Sequence, residues 1–267
     1  MAACAALWTA ATYHQLSQLT ADPVFRLSAL TFCGTFVLYN LARFPYRPVA
    51  AGTTGHDRKY WLSYYRITVL VLTGVAAIAF FLLLTQLPLL PLWPLGLAGL
   101  LVGAYYAPLF QRGPFGLRMF GVTKNLVIGV VWALVTALLP VTLAGATAWT
   151  SADLWLLLIE RTLFIYLLML PFDVEDVDRD AEEGVRTIPR RQGLTFTRWL
   201  IGVLLAALAA LQLIHYQGYL LGGQLLVSAY IGILLWLLQP KRSDLHFLGF
   251  WDGAIALQAV LMLVLSS

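Results

Sequence analysis

Residues 64–86, YYRITVLVLTGVAAIAFFLLLTQ, decide the fold class: from Ile67 to Leu84 the chain carries no charged side chain. About 20 predominantly apolar residues, wound as a helix, cross the ~30 Å hydrocarbon core of a bilayer. The run is continuously apolar, and an alternating pattern would be needed for a membrane β-barrel strand. This stretch therefore predicts a transmembrane helix.

Working outward, comparable runs lie near 2–19, 24–43, 89–110, 120–143, 153–172, 195–215, 218–239 and 245–265. With 64–86 they predict an all-α, polytopic membrane bundle of about nine transmembrane helices, one domain over residues 1–267. Proline supports the boundaries. Pro88, Pro91 and Pro94 crowd one end of the fourth run, and Pro108, Pro140 and Pro171 mark the ends of others, where a missing backbone donor costs least. The chain is 60% hydrophobic and 11% charged, against about 25% charged in soluble domains.

Charge placement orients the bundle. Of 17 Lys and Arg, 15 fall in alternate joints: Arg43, Arg47, Arg58, Lys59 and Arg66 after the second run, and Arg112, Arg118 and Lys124 after the fourth. Arg179, Arg186, Arg190, Arg191 and Arg198 follow the sixth, and Lys241 and Arg242 the eighth. Positive residues stay on the cytoplasmic side, so the N-terminus is expected inside and the C-terminus outside. The net charge of +4 is thus topological, and no basic face remains for nucleic acid. Trp61, Trp199 and Trp251 near one membrane face, and Trp93, Trp149 and Trp155 near the other, read as headgroup-level anchors.

The N-terminus lacks the basic region of a secretory signal. Met1 stands almost inside the first run, so a short native extension is expected ahead of it. Cys4 and Cys33 sit in apolar runs with neither a disulfide framework nor metal-ligand spacing.

Seven of the 13 carboxylates fall within eleven residues, Asp173–Glu183, in PFDVEDVDRDAEEGVRTIPRR. Asp173, Asp176 and Asp180, spaced by three and four, share one face of a helix. Carboxylates held so close repel unless cations lie among them, and hard oxygen ligands suit Mg²⁺ bridging to substrate phosphates. Arg186, Arg190 and Arg191 follow as possible phosphate contacts. A solvated loop whose acids pair with its own arginines is the other reading of the same run.

The segment DVEDVDRDAEEGVRTIP after the sixth of nine spans resembles the second aspartate motif of the UbiA-type intramembrane prenyltransferases. Asp173, Asp176, Asp180, Gly184, Arg186, Thr187 and Pro189 match its D-x-x-D-x-x-x-D…G-[VI]-[RK]-T-[LI]-P pattern in order. YYAPLFQRGPFGLRMFGVTKN, between the fourth and fifth spans, is similar to the family's tyrosine-proline-basic segment. The resemblance implies that the aspartates bind Mg²⁺ and an isoprenyl diphosphate, whose tail lies in a lipid-open cavity. The allylic C–O bond then ionises and a lipid-soluble acceptor captures the prenyl group. It further implies Asp173, Asp176 and Asp180 as metal ligands and catalytic residues. Asn40, Lys124 and Arg186 would lie near diphosphate, and Tyr105 and Tyr106 would line the cavity.

The first family motif, N-x-x-x-D-x-x-x-D, is broken. In LYNLARFPYRPVAAG, Asn40 stands in place but Phe44 and Pro48 occupy the aspartate positions, and the nearest acid, Asp57, fits no part of the pattern. Arg43 and Arg47 continue the three-and-four spacing from Asn40. They are expected either to grip diphosphate in place of one Mg²⁺ or to pair with the opposing acids, since the guanidinium fork matches both. The plain alternative is ordinary positive-inside arginines.

Three function classes stay open: a Mg²⁺-dependent prenyltransferase, a non-catalytic relative binding an isoprenoid or quinone-like lipid or supporting a membrane complex, and a transporter. The last rests on Glu160 and Arg161 inside the sixth run, where ionisable residues face the bundle interior. Structural pairing of Arg161 with Glu160 or a neighbouring helix is expected. Asp252, near His246, is expected within reach of the cavity, whereas His14 and His56 have no partner set.

Overall fold

The computed structural model describes residues 1–16, 21–43, 65–106, 121–145, 151–182, 184–238 and 247–265. Each expected span has a helix in register with it: α1 (Ala2–Leu16), α2 (Ala21–Arg43), α3 (Arg66–Leu84), α4 (Trp93–Tyr106, entered by a 3₁₀ turn at Leu90–Leu92), α5 (Gly121–Ala144) and α6 (Ser151–Glu175). A short α7 (Val177–Glu182) follows, then α8 (Ile188–His215), α9 (Gly218–Leu237) and α10 (Asp252–Leu265, entered by a π turn at Phe247–Trp251). Among the described residues, six helices (α2, α3, α5, α6, α8 and α9) are long and apolar enough to cross a membrane. α4 and α10 are shorter apolar helices.

Two helices depart from regular geometry for local reasons. Pro140 has no backbone N–H to continue the ladder, and the turn before it, Leu134–Leu138, widens to π geometry. In α8, Gly193 adopts φ +80°, which separates the lead-in at Ile188 from the long helix. The span expected from residue 195 is that second part.

α6 is the central strut. Leu157, Phe164, Ile165, Leu167, Leu168 and Leu170 are buried along it, and it packs against α5, α8 and the π turn that enters α10. α1 closes the bundle between α2 and α10. The main core joins α1, α5, α6, α8, α9 and α10, with Trp8 and Trp251 fully enclosed. On α3, by contrast, Ile67, Val71, Val75 and Ile78 point outward, as apolar side chains do when lipid is the solvent. The chain is an integral, multi-pass membrane protein.

One expectation changes, for Trp251, and another, for Arg161, is met through its neighbouring-helix alternative. Trp199, Trp93 and Trp155 are exposed, as anchors must be, but Trp251 has no exposed surface and is a core residue. Its position at the start of α10 suggested an interface, but the packing of α9 and α6 against that end encloses it. Trp61 and Trp149 lie outside the described residues. Arg161 does not bond to Glu160 directly. Its Nη2 donates to Thr12 Oγ1 at 3.4 Å and approaches Met262 Sδ at 3.0 Å, with the guanidinium 4.0 Å over the Trp8 ring.

Glu160 is satisfied separately. Tyr216 Oη donates to Glu160 Oε2 at 2.8 Å, His215 Nδ1 lies 3.3 Å from the same oxygen, and Gln258 Nε2 reaches Oε1 at 3.4 Å. Burial, chiefly, and the carboxylate beside it push the Tyr216 hydroxyl well above its usual pKa, so it stays a donor. The Glu160–Arg161 pair is therefore internal scaffolding: Glu160 accepts from the helices around it, whereas Arg161 Nε and Nη1 are buried with no hydrogen-bond partner among the described residues.

Candidate functional site

The acidic motif sits where α6 ends. Helical hydrogen bonding continues through the junction with α7: Asp176 N–H donates to Phe172 O at 2.9 Å and Asp180 N–H to Asp176 O at 2.7 Å. The i, i+4 spacing thus places Asp176 and Asp180 a turn apart on one face. Asp176 is half-buried, and Asp180 is 1% exposed.

Asp173 is held from the neighbouring helix. At the first turn of α5, Lys124 Nζ lies 2.8 Å from Asp173 Oδ1, and Asn125 Nδ2 donates to Oδ2 at 2.7 Å. Asp173 is almost wholly buried, while Lys124 keeps 15% of its side chain exposed. Asp173 and Lys124 were expected near one site, but the sequence could not show that both oxygens of Asp173 are taken by α5, one of them by Asn125. Asn125 Oδ1 is buried and has no donor among the described residues. It leaves a hard oxygen at the base of the cluster.

Close backbone contact fixes this register. Gly121 N–H donates to Arg186 O at 3.1 Å, and a Cβ on Gly121 would collide with that carbonyl and with Thr187 Cα. Eight residues on, a Cβ on Gly129 would lie 2.7 Å from Thr162 O. The loop after α7 is clamped in turn: Arg190 Nη1 donates to Asp180 O at 3.2 Å and to Val185 O at 2.7 Å. One expected phosphate contact, Arg190, therefore works as a loop brace. Arg186 and Arg191 are exposed at this end.

Above the cluster opens an apolar cavity of about 280 Å³. Its walls include Tyr39 of α2, Tyr105 and Tyr106 of α4, Ile128 of α5, Phe172 of α6 and Asp252 of α10. Tyr105 and Tyr106 meet edge to face, with centroids 4.9 Å apart. Tyr105, Tyr106 and Asp252 thus border one space. Because Tyr39 and Phe172 face one cavity, the end of α2 lies across it from the acidic end of α6. Asn40 belongs to that last part of α2 and is half-buried. The side chain of Arg43 lies outside the described residues, as do Arg47, Arg112, Arg118, His56 and His246. Tyr39 and Phe172 were missed by sequence reasoning, although each directly precedes a motif residue, Asn40 and Asp173.

A model of the UbiA prenyltransferase family matches residues 64–251, more than half of the chain. The chain belongs to the UbiA prenyltransferase family. Solved structures agree at the level of fold. A UbiA homologue from Aeropyrum pernix without ligand superposes with a TM-score of 0.64 at 16% identity, covering 98% of this chain and 94% of that one. A digeranylgeranylglyceryl phosphate synthase gives 0.59 at 14% identity, with 99% and 93% covered. A UbiA homologue from Archaeoglobus fulgidus, bound to DMAPP and Mg²⁺, gives 0.57 at 13% identity, with 98% and 94% covered. No curated protein matches the chain. As a UbiA-family member the chain carries an intramembrane prenyltransferase fold, and the cluster at α5, α6 and α7 lies within the matched segment.

The fit to Mg²⁺ is partial. Among the described residues no three His, Cys, Asp or Glu side chains converge in a metal-holding group, and Asp173 is occupied by Lys124 and Asn125. Asp176 and Asp180, which have partners of their own, are carboxylates of the kind that hold an ion completed by water and substrate phosphate.

Proposed function

We propose that this chain transfers an isoprenyl group from a prenyl diphosphate to a lipid-soluble acceptor, with Asp176 and Asp180 holding one Mg²⁺ and Lys124 beside the diphosphate. The observation that carries the reading is that Phe172, a wall of the apolar, aromatic cavity, directly precedes Asp173 of the Lys124–Asn125–Asp173 cluster. Charged groups at the mouth hold a diphosphate, and the cavity behind them holds hydrocarbon. By the charge bias of its joints, this mouth faces the cytoplasm.

A Mg²⁺ held by Asp176 and Asp180 would supply charge neutralisation for a departing diphosphate. The chain's own residues do the rest. Asp173 fixes the ammonium of Lys124 at the mouth, and exposed Arg186 adds a second cation for the phosphate oxygens. The allylic C–O bond breaks with its electron pair leaving on diphosphate. The aromatic faces of Tyr105, Tyr106 and Phe172 stabilise the resulting cation. The apolar walls exclude water, which would otherwise capture the cation. The acceptor forms the new bond and loses its proton to the departing diphosphate. Asn40 and Arg43 at the end of α2, with Arg47 in the segment that follows, would complete the diphosphate pocket.

A second reading has its own observation. Phe44 and Pro48 stand where the family's first aspartates belong, which favours a non-catalytic binder of an isoprenoid lipid. Titration of farnesyl diphosphate into the purified protein separates the two. Binding that requires Mg²⁺ and disappears in Asp176→Ala supports transfer. Binding indifferent to both supports the lipid binder and removes the transferase reading.

A further inference from the structure

A second apolar cavity, about 340 Å³, lies beyond the first, between α2 and α3 on one side and α4 and α5 on the other. The two share Leu38 and Tyr39 of α2, Val102 of α4, and Val131 and Trp132 of α5. These five residues form a waist between a chamber at the charged end and a deeper one. From Leu38 to Leu30, α2 follows the deeper chamber for eight residues, about 12 Å of helix.

The waist has one rigid side. Trp132 is 6% exposed and meets Trp8 edge-on, with centroids 6.0 Å apart. Trp8 is in turn fixed by Phe164 at 5.3 Å and by the Arg161 guanidinium at 4.0 Å. The buried charge of α6 thus braces the wall of the cavity without touching it.

The chemistry of the deeper chamber selects its occupant. Two of its threonines turn their hydroxyls back on their own helices: Thr31 Oγ1 donates to Leu27 O at 2.8 Å, and Thr136 Oγ1 to Trp132 O at 2.7 Å. Those hydroxyls leave their methyl groups for the wall. With those donors spent on the backbone and the rest of the lining mostly aliphatic and aromatic, the chamber suits a hydrocarbon chain better than an acceptor that must receive hydrogen bonds.

We propose that the waist at Tyr39, Val102 and Trp132 sorts prenyl diphosphates by length, with the distal isoprene units of a long chain entering the deeper chamber. The inference rests on the prenyl diphosphate reading above. A short chain, its diphosphate at Lys124, ends in the first chamber; a long one must pass the waist to bury its tail.

Gly99 offers a clean plug. It lines only the deeper chamber, and a Cβ there meets nothing within 4 Å. Geranyl and geranylgeranyl diphosphate are titrated, with Mg²⁺, into wild type, Gly99→Leu and Gly99→Phe. The expected result is a graded loss for geranylgeranyl diphosphate, reaching about tenfold or more in Gly99→Phe, because the distal units lose their apolar seat. Geranyl affinity should change less than about twofold, which also reports that the variants fold. Equal losses for both lengths, or no change for either, would overturn the length-sorting waist while leaving prenyl diphosphate binding intact. Failure of wild type to bind either compound would overturn the diphosphate reading itself.

Discussion

α6 carries two charged clusters, thirteen residues apart in sequence from Glu160 to Asp173, and they have opposite architecture. Glu160 and Arg161 are 1% and 0% exposed and meet side chains from α1, from the α8–α9 junction and from α10. At the other end, Asp173 is buried against α5, but the group around it opens outward through half-buried Asp176, partly exposed Lys124 and exposed Arg186. The first cluster holds helices together. The second holds a charged surface at the mouth of an apolar space. Charge inside a membrane protein is thus not itself a sign of a ligand; what distinguishes the two is whether neighbouring helices already enclose it.

The sharpest way to break this contrast is to remove Glu160. Glu160→Leu leaves the donors of Tyr216 and Gln258 without their acceptor and the Arg161 charge uncompensated. It should cost about 3–5 kcal/mol, read as a large drop in melting temperature in detergent. A melt close to wild type would mean that the network contributes little and that Glu160 needs another explanation.

Lys124→Met should cost less, about 2–3 kcal/mol, because Lys124 retains solvent contact although Asp173 loses its counter-charge. It should also weaken prenyl diphosphate binding, which Glu160→Leu should not do in the protein that remains folded. If Lys124→Met melts normally and binds normally, the pair is decorative.

Gly121→Ala tests the register between the clusters' helices. Its methyl group would collide with the Arg186 carbonyl, and overpacking of this kind costs about 1–3 kcal/mol. The expected signature is moderate destabilisation with a larger loss of diphosphate affinity, since the Arg186 loop must shift. Undiminished affinity would show that the loop position is irrelevant to the site.

Much of the fold could be read in the sequence because the bilayer enforces it. Uninterrupted apolar runs such as Ile67–Leu84 fix helices, and Pro140 and Gly193 mark where they deviate. The acidic site was legible for a different reason: Asp176 and Asp180 are close in sequence, and their helix persists past Glu175. Long-range pairing was not legible. Nothing local reveals that Asn125 meets Asp173, that His215 and Tyr216 meet Glu160, or that Trp251 faces the core. These depend on how helices distant in sequence pack. Trp132 carried a faint signal, since a tryptophan well inside a span cannot serve as a headgroup anchor. The waist it forms with Tyr39 and Val102 required three helices in place.

The smallest expected effect on stability belongs to the central claim. Asp176→Asn should change stability by about 1 kcal/mol or less, because Asp176 is only half-buried and Asn keeps its shape. The decisive measurement is the Mg²⁺ dependence of farnesyl diphosphate binding in Asp176→Asn, set beside wild type and Glu160→Gln. The account predicts Mg²⁺-dependent binding in wild type and in Glu160→Gln, and its loss in Asp176→Asn. Retention of that dependence in Asp176→Asn, or its loss in Glu160→Gln, would contradict the assignment of one cluster to ligand and the other to scaffold.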